Sequence, residues 1–467
     1  MMVGDLAVLM GMGLIRAFDM SASYTSTHTS QRTATETRPA RNRLDVVPKM
    51  DVQHFVDPHL TRPDLLVLQS LLQDIEPEFE DKLSSQDETI KELRSLNNPD
   101  DEKFEPTIFS SWDVSTIHLP FGLNQKLLLP YVRWARTILR NQTDVVMITH
   151  LIIYFITSIP SAIILFYRFS WIHGVLHSLM QIWYAGPYTL LMHQHIHMQG
   201  ILTKKYSWFD HTFPYIMDPL MGHTWNSYYF HHVKHHHVEG NGPEDLSSTI
   251  RYQRDNIWHF LHYFGRFLLF VWLDLPLYFA KKRKTSLALK TAFFELSNYV
   301  FLYFLATHIA LHATIFVFLI PLLVMRMGMM IGNWGQHAFV DELEPDSDFR
   351  SSITLIDVAS NRYCFNDGYH TSHHLNPRRH WRDHPVSFLQ QKRRYARESA
   401  LVFRNIDYLM ITARLFCKDY THLAKCLVPM GDQIGMSIEE IAALLKTKTR
   451  PFSEAEIQSK FRPKPRP

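Results

Sequence analysis

Cysteine is scarce: Cys364, Cys417 and Cys426 are the three in 467 residues, and their spacing supports neither a disulfide framework nor a cysteine-based zinc site. A reducing environment fits. Net charge is also small, and at +3 it gives no argument for nucleic acid as a partner, so the basic residues are better read by position than by total. Charge is missing altogether from residues 145–167 and 171–192, which contain no Lys, Arg, Asp or Glu. As a helix, each can span roughly 30 Å of hydrocarbon. Between Glu295 and Asp341 the one charged side chain is Arg326, which leaves room for two further spans near 293–313 and 315–335. The stretch 256–280 is apolar but carries Arg266, Asp274 and Pro276, and is expected to lie in the membrane interface.

Four spans with these flanks have a consistent orientation. Arg133, Arg136 and Arg140 precede the first, Lys204 and Lys205 follow the second, Lys281 to Lys284 precede the third, and Arg378, Arg379 and Arg382 follow the fourth. The connections on the other side carry only Arg168 in one case and no Lys or Arg in the other. The positive-inside rule therefore predicts both termini in the cytosol, where the acceptor triplet Asn141-Gln-Thr143 goes unglycosylated. The fold expected is all-α: an integral membrane four-helix transmembrane bundle with a cytosolic helical cap. Four segments are anticipated. Residues 1–60 form a disordered or targeting arm, because the apolar run Leu6 to Ile15 is a poor secretory signal and residues 20–45 are rich in Ser, Thr and Arg. Residues 61–140 form a cytosolic or interfacial helical segment with Leu65, Leu66, Leu68, Leu71, Leu72 and Ile75 on a buried stripe. Residues 141–390 are the membrane domain, and 391–467 are C-terminal helices with a loose Pro- and Lys-rich end.

What the chain has in abundance is histidine, in three clusters beside these apolar segments: His193-Gln-His195-Ile-His197, His231-His232-Val-Lys-His235-His236-His237 and His370-Thr-Ser-His373-His374, with His337 between the last two. On an α-helix, residues three and four apart share a face, so His193 with His197, and His232 with His235 and His236, can aim at one point. His370, His373 and His374 repeat the geometry. The same reasoning sets aside His195, His231 and His237 as ligands and leaves them as donors that could orient ligands. Nine histidines (His193, His197, His232, His235, His236, His337, His370, His373, His374) imply more than one ion, because one centre takes four to six donors. No Glu-x-x-His pair lies at the clusters, against a carboxylate-bridged site, and the missing Glu of His-Glu-x-x-His excludes a zinc protease.

The three boxes, in this order and spacing after paired spans, together with Asn333-x-x-x-His337, resemble the membrane fatty acid desaturase family over roughly residues 145–390. That resemblance implies a di-iron site in the cytosolic cap, held by the nine histidines, with Asn333 reaching it through a water. It implies a membrane-bound, dioxygen-dependent enzyme that introduces a double bond into a fatty acyl chain and reduces O2 to water. Electrons come from an external donor such as cytochrome b5 with its reductase, since no His-Pro-Gly-Gly is present to mark a fused donor domain. Three residues inside the first box favour an acyl-lipid or sphingolipid substrate over acyl-CoA. A hydroxylase, acetylenase or epoxygenase on the same scaffold is the close alternative, and a metal transporter or sensor the remote one. Location in the endoplasmic reticulum membrane follows, with an organelle membrane as the other option. Trp183, Tyr184, Trp225, Tyr228, Tyr229 and Trp334 are candidates for a substrate tunnel or for interfacial anchors. Among Asp210, Asp218, Glu239 and Asp367, the last is the best candidate to orient a ligating histidine. His173 with His177 and His308 with His312 are read as packing or rim histidines on the far side. Arg326 is equally a functional charge or a structural one.

Overall fold

The computed structural model describes residues 61–75 and 85–461. The arm expected over residues 1–60 lies outside them. The described chain is mostly helical. Helix Arg62–Ile75 buries Leu66, Leu68, Leu71 and Leu72, four of the six apolar residues in the anticipated stripe. Helix Gln86–Asn97 begins at a reciprocal cap, in which Ser85 accepts from the Glu88 N–H and Glu88 accepts from the Ser85 N–H.

Among the described residues, three helices are long and apolar enough to cross a membrane: Val145–Tyr167, Ile257–Lys281 and the run Leu311–Gln336. The first and last coincide with expected spans. The second covers the stretch 256–280 expected to lie in the interface: Pro276 is accommodated within a continuous 25-residue helix, which by length and composition is also a candidate span. The stretch 171–192 is the apolar part of a longer helix, Trp171–Met198, whose final turns are polar because they carry the first histidine cluster. The span placed at 293–313 is not one helix. Thr285–Phe304 gives way to a π-helical turn at Leu305–Ile309, and the backbone then extends at Ala310 before Leu311 starts the next helix. Among the described residues, a four-helix bundle of the anticipated boundaries is therefore not what length and composition pick out.

The chain is also not purely α. A short antiparallel pair joins Thr107–Phe109 to Trp112–Asp113, and a parallel pair joins Ile353–Ile356 to Leu401–Arg404. Ile353, Thr354, Leu355 and Ile356 are all buried, as suits a β-branched strand covered on both faces. Parallel strands need a long crossover, and the third histidine cluster sits within this one.

One buried side chain ties this frame together. The Arg254 guanidinium donates to the carbonyls of Ala338, Thr249, Tyr252, Lys448 and Arg450 at 2.6–3.2 Å, joining the loop after the second cluster, the segment after His337 and the C-terminal region. Burial, and then the Arg450 charge, push its pKa down to about 9, still high enough to keep it cationic at neutral pH. Arg254→Ala leaves these carbonyls without their donor at about 1–3 kcal/mol for each that water cannot reach. We expect a fall in Tm of more than 10 °C in detergent, with little recovery in Arg254→Lys, because an ammonium offers three donors in place of a five-donor fork.

Candidate metal centre

Each histidine cluster is placed by a local device. His193 and His197 occupy the last turns of helix Trp171–Met198, which stops at Gln199 and Gly200 with φ of 57° and 102°. A Cβ on Gly200 would lie 2.5 Å from Asp210 Oδ2, so only glycine lets that carboxylate approach and accept the N–H groups of Ile201 and Leu202. His337 caps helix Ile320–Gln336, its N–H bonded to the Asn333 carbonyl. The third cluster forms helix His370–Leu375, entered through Gly368, which is laced to the parallel strand by its carbonyl on the Leu355 N–H and its N–H on Asn361 Oδ1.

The second cluster departs from the α-helical register. Tyr229–His236 is π-helical, and the His237 N–H bonds the His232 carbonyl five residues back. In such a helix residues four and five apart line up, so His232, His236 and His237 share one face and His231 and His235 another.

Ring nitrogens of His193, His197, His232, His237 and His373 all lie within 4.8 Å of one another, as do those of His236, His337 and His374. Inside the first group the Nε2 atoms approach closely: His193 to His232 at 2.8 Å, His193 to His373 at 3.0 Å, His232 to His237 at 3.0 Å and His237 to His373 at 2.8 Å. His370 Nε2 lies 3.2 Å from His337 Nε2, beside the second group. Around an ion with metal–nitrogen distances of about 2.1 Å, adjacent octahedral ligands stand about 3.0 Å apart, so these spacings are those of a ligand shell. The buried His197 Nε2 has no hydrogen-bond partner, as a nitrogen reserved for an ion would not. Burial first, and neighbouring imidazoles second, hold His232, His237, His337, His370 and His373 well below the ordinary histidine pKa. They are neutral at physiological pH and their lone pairs are open to a metal.

Outer contacts fix which nitrogen faces inward. His236 Nδ1 bonds Asp245 Oδ2 at 2.7 Å, His337 Nδ1 donates to the Ser351 carbonyl at 2.8 Å, and His374 Nδ1 lies 3.6 Å from Asp348. Asp245 is held in turn by the Ser247 N–H and hydroxyl. Sequence reasoning missed it; the signal was a Gly-Asn-Gly-Pro-Glu-Asp turn right after the cluster, which reverses the chain and returns a carboxylate beneath the helix.

Other expected residues are placed differently. Asp367 accepts from Gln336 Nε2 at 3.3 Å rather than from a ring, and burial pushes its pKa up to about 7. Asp218 accepts from Tyr188, Glu239 from Tyr278, and Asp210 lies 3.5 Å from His195. The Asn333 amide nitrogen donates to the Ser247 carbonyl and Tyr263 hydroxyl, leaving its oxygen as the atom with further capacity. His173 and His177 share the Ser161 hydroxyl, and His312 packs on Phe169 and Trp171; neither pair joins the two groups.

A cavity of about 460 Å³ opens onto the histidines, lined at that end by His193, His232, His236, His370 and Asn333. It runs between the helices past Phe267, Val271, Leu275 and Met329, and also meets Glu295 and Arg326. Of the six aromatics anticipated as lining, Tyr228 is on its wall. Trp334 is instead buried and donates to the Arg254 carbonyl, while Trp225 donates to the Tyr215 carbonyl.

The family model described as fatty acid desaturase matches residues 169–387, a segment that holds all three histidine clusters, His337 and Asp245. No curated protein and no solved structure matches the chain. Residues 169–387, which gather these histidines beside an apolar cavity, are thus the segment that matches the fatty acid desaturase family.

Proposed function

We propose that the protein is a membrane-bound, dioxygen-dependent desaturase acting on the acyl chain of a lipid, of the acyl-lipid or sphingolipid type. The observation that carries this reading is the meeting of two groups of convergent imidazoles with a cavity that is also lined by apolar helices. His193, His197, His232 and His373 would hold one iron, and His236, His337, His370 and His374 the other. Iron bound there supplies the oxidising power, taken from O2, needed to remove hydrogen from an unactivated methylene.

The protein's own part is positional. Phe267, Val271 and Leu275 exclude water from the chain's path, and the fixed cavity decides which methylenes lie beside the histidines. The balance is two C–H bonds lost and one C=C bond formed, with O2, two protons and two electrons yielding two waters. The electrons come from an external one-electron carrier of the cytochrome b5 type. The basic flanks favour a cytosolic metal centre in the endoplasmic reticulum membrane.

Expression in yeast, followed by mass spectrometry of fatty acyl and sphingoid species, tests this. A new population lighter by two hydrogens in one lipid class is the expected outcome and names the substrate. A population heavier by one oxygen would replace desaturation with hydroxylation. An unchanged profile from iron-loaded protein supplied with its reductase would remove the lipid-chain reading.

A further inference from the structure

The crowded second cluster offers seven positions from His231 to His237, and a reading by α-helical spacing takes its ligands in the His-x-x-His-His register, at 232, 235 and 236. Resting on the proposal that the groups hold iron, we infer that the register used is His-x-x-x-His-His: His232, His236 and His237 face the metals, and His235 is not a ligand but an anchor for the loop that carries Asp245.

Three observations carry this. The π-helical turn rotates position 237 onto the face of 232, and the His237 ring then meets each member of the first group that it needs to meet. Its Nε2 lies 3.0 Å from His232 Nε2 and 2.8 Å from His373 Nε2, and its ring centroid is 4.8 Å from that of His197. Second, His235 falls in neither of the two groups: its neighbouring donors are His231 and Asp245, its Nδ1 has no hydrogen-bond partner, and its Nε2 is engaged by the loop. His235 Nε2 accepts the Leu246 backbone N–H at 2.8 Å, and the ring is fully buried edge-on against Tyr278, with centroids 4.1 Å apart. Third, the Leu246 bond fixes the residue next to Asp245, whose carboxylate holds His236 Nδ1 at 2.7 Å. Thus the two faces of the π-turn have separate tasks. One supplies lone pairs to the metals, and the other tightens the loop that orients a ligand.

The insertion is balanced. An extra residue between the first and second histidines of a box would, on an α-helix, swing the last ring by about 100° away from its partners. Opening that one stretch to i→i+5 bonding absorbs the residue and restores the shared face. Counting His237 in place of His235 keeps nine rings, five in the first group and four about the second.

The test uses the full-length protein, purified in detergent and loaded with ferrous iron, with iron per chain and the Mössbauer spectrum as readouts. Wild type should hold about two irons per chain; wild type without iron would defeat the functional proposal itself, separately from the register. His237→Ala should lower this toward about one and alter the spectrum, whereas monodisperse His235→Asn, which loses only the anchor of the Asp245 loop, should keep both irons. His237→Gln serves if the alanine variant does not fold. Loss of iron from folded His235→Asn, or full iron with an unchanged spectrum in the His237 variants, would overturn the assignment.

Discussion

His373→Ala is expected to abolish turnover, by at least about 10³-fold, and to remove bound metal without impairing membrane insertion. The His373 Nε2 atom stands 3.0 Å from His193 Nε2 and 2.8 Å from His237 Nε2, so it joins the first and second clusters at a single point. Removing the ring deletes a donor shared by the whole group, and no other described side chain is placed to substitute. The backbone should tolerate the change, because the His373 N–H bonds the Tyr369 carbonyl and helix His370–Leu375 lies outside the apolar helices. His177→Ala is the matched control: its ring bonds Ser161 and Gln181, far along the helix from His193, and turnover should survive. Assays of product formation with iron content and membrane fractionation check both, and full activity in the His373 variant would refute the assignment.

The second large effect is on stability. Arg326 and Glu295 form a buried ion pair between helices Leu311–Gln336 and Thr285–Phe304, in which Glu295 also accepts from Thr224, Ser227 and Tyr299. The pair gives Arg326 a structural partner, Glu295, at the edge of its own apolar stretch in the sequence, while both side chains also line the cavity. Arg326→Met alone leaves a carboxylate buried without its counter-charge, at a cost of about 3–5 kcal/mol. Adding Glu295→Gln should recover most of that loss, since the neutral amide still serves the three hydroxyls and no ion needs solvation. Unfolding in detergent of the single and double variants gives the answer. A single variant as stable as wild type would show that water or lipid headgroups already solvate the pair.

Much of the chemistry was legible in order and spacing. The histidine boxes, His337 and the apolar stretches beside them are local patterns, and a candidate metal centre beside candidate membrane helices follows from them without knowledge of distant contacts. The ends of helices were legible too where a cap or a glycine marks them, as at Ser85 and Gly200. Where the reading went astray, it assumed a constant 3.6 residues per turn. That assumption puts 232, 235 and 236 on one face, whereas the π-turn lines His232 up with His236 and His237, and such a turn leaves no reliable mark in composition. It also drew a continuous span through 293–313, where the helix opens at Leu305 and breaks at Ala310.

Carboxylate partners were illegible for a different reason. Asp245 and Asp367 look alike in sequence, each a few residues from a histidine box, but a hydrogen bond depends on where a loop returns its side chain. Asp245 comes back to His236, whereas Asp367 meets Gln336. The sequence by itself determined the kind of donor, the number of rings and the apolar setting, since these are set by residue type and by periodicity along the chain. Only the tertiary structure decided which rings converge, which carboxylate orients them and that Arg326 pairs with Glu295. Those are distances between residues far apart in the chain, and they are set by packing.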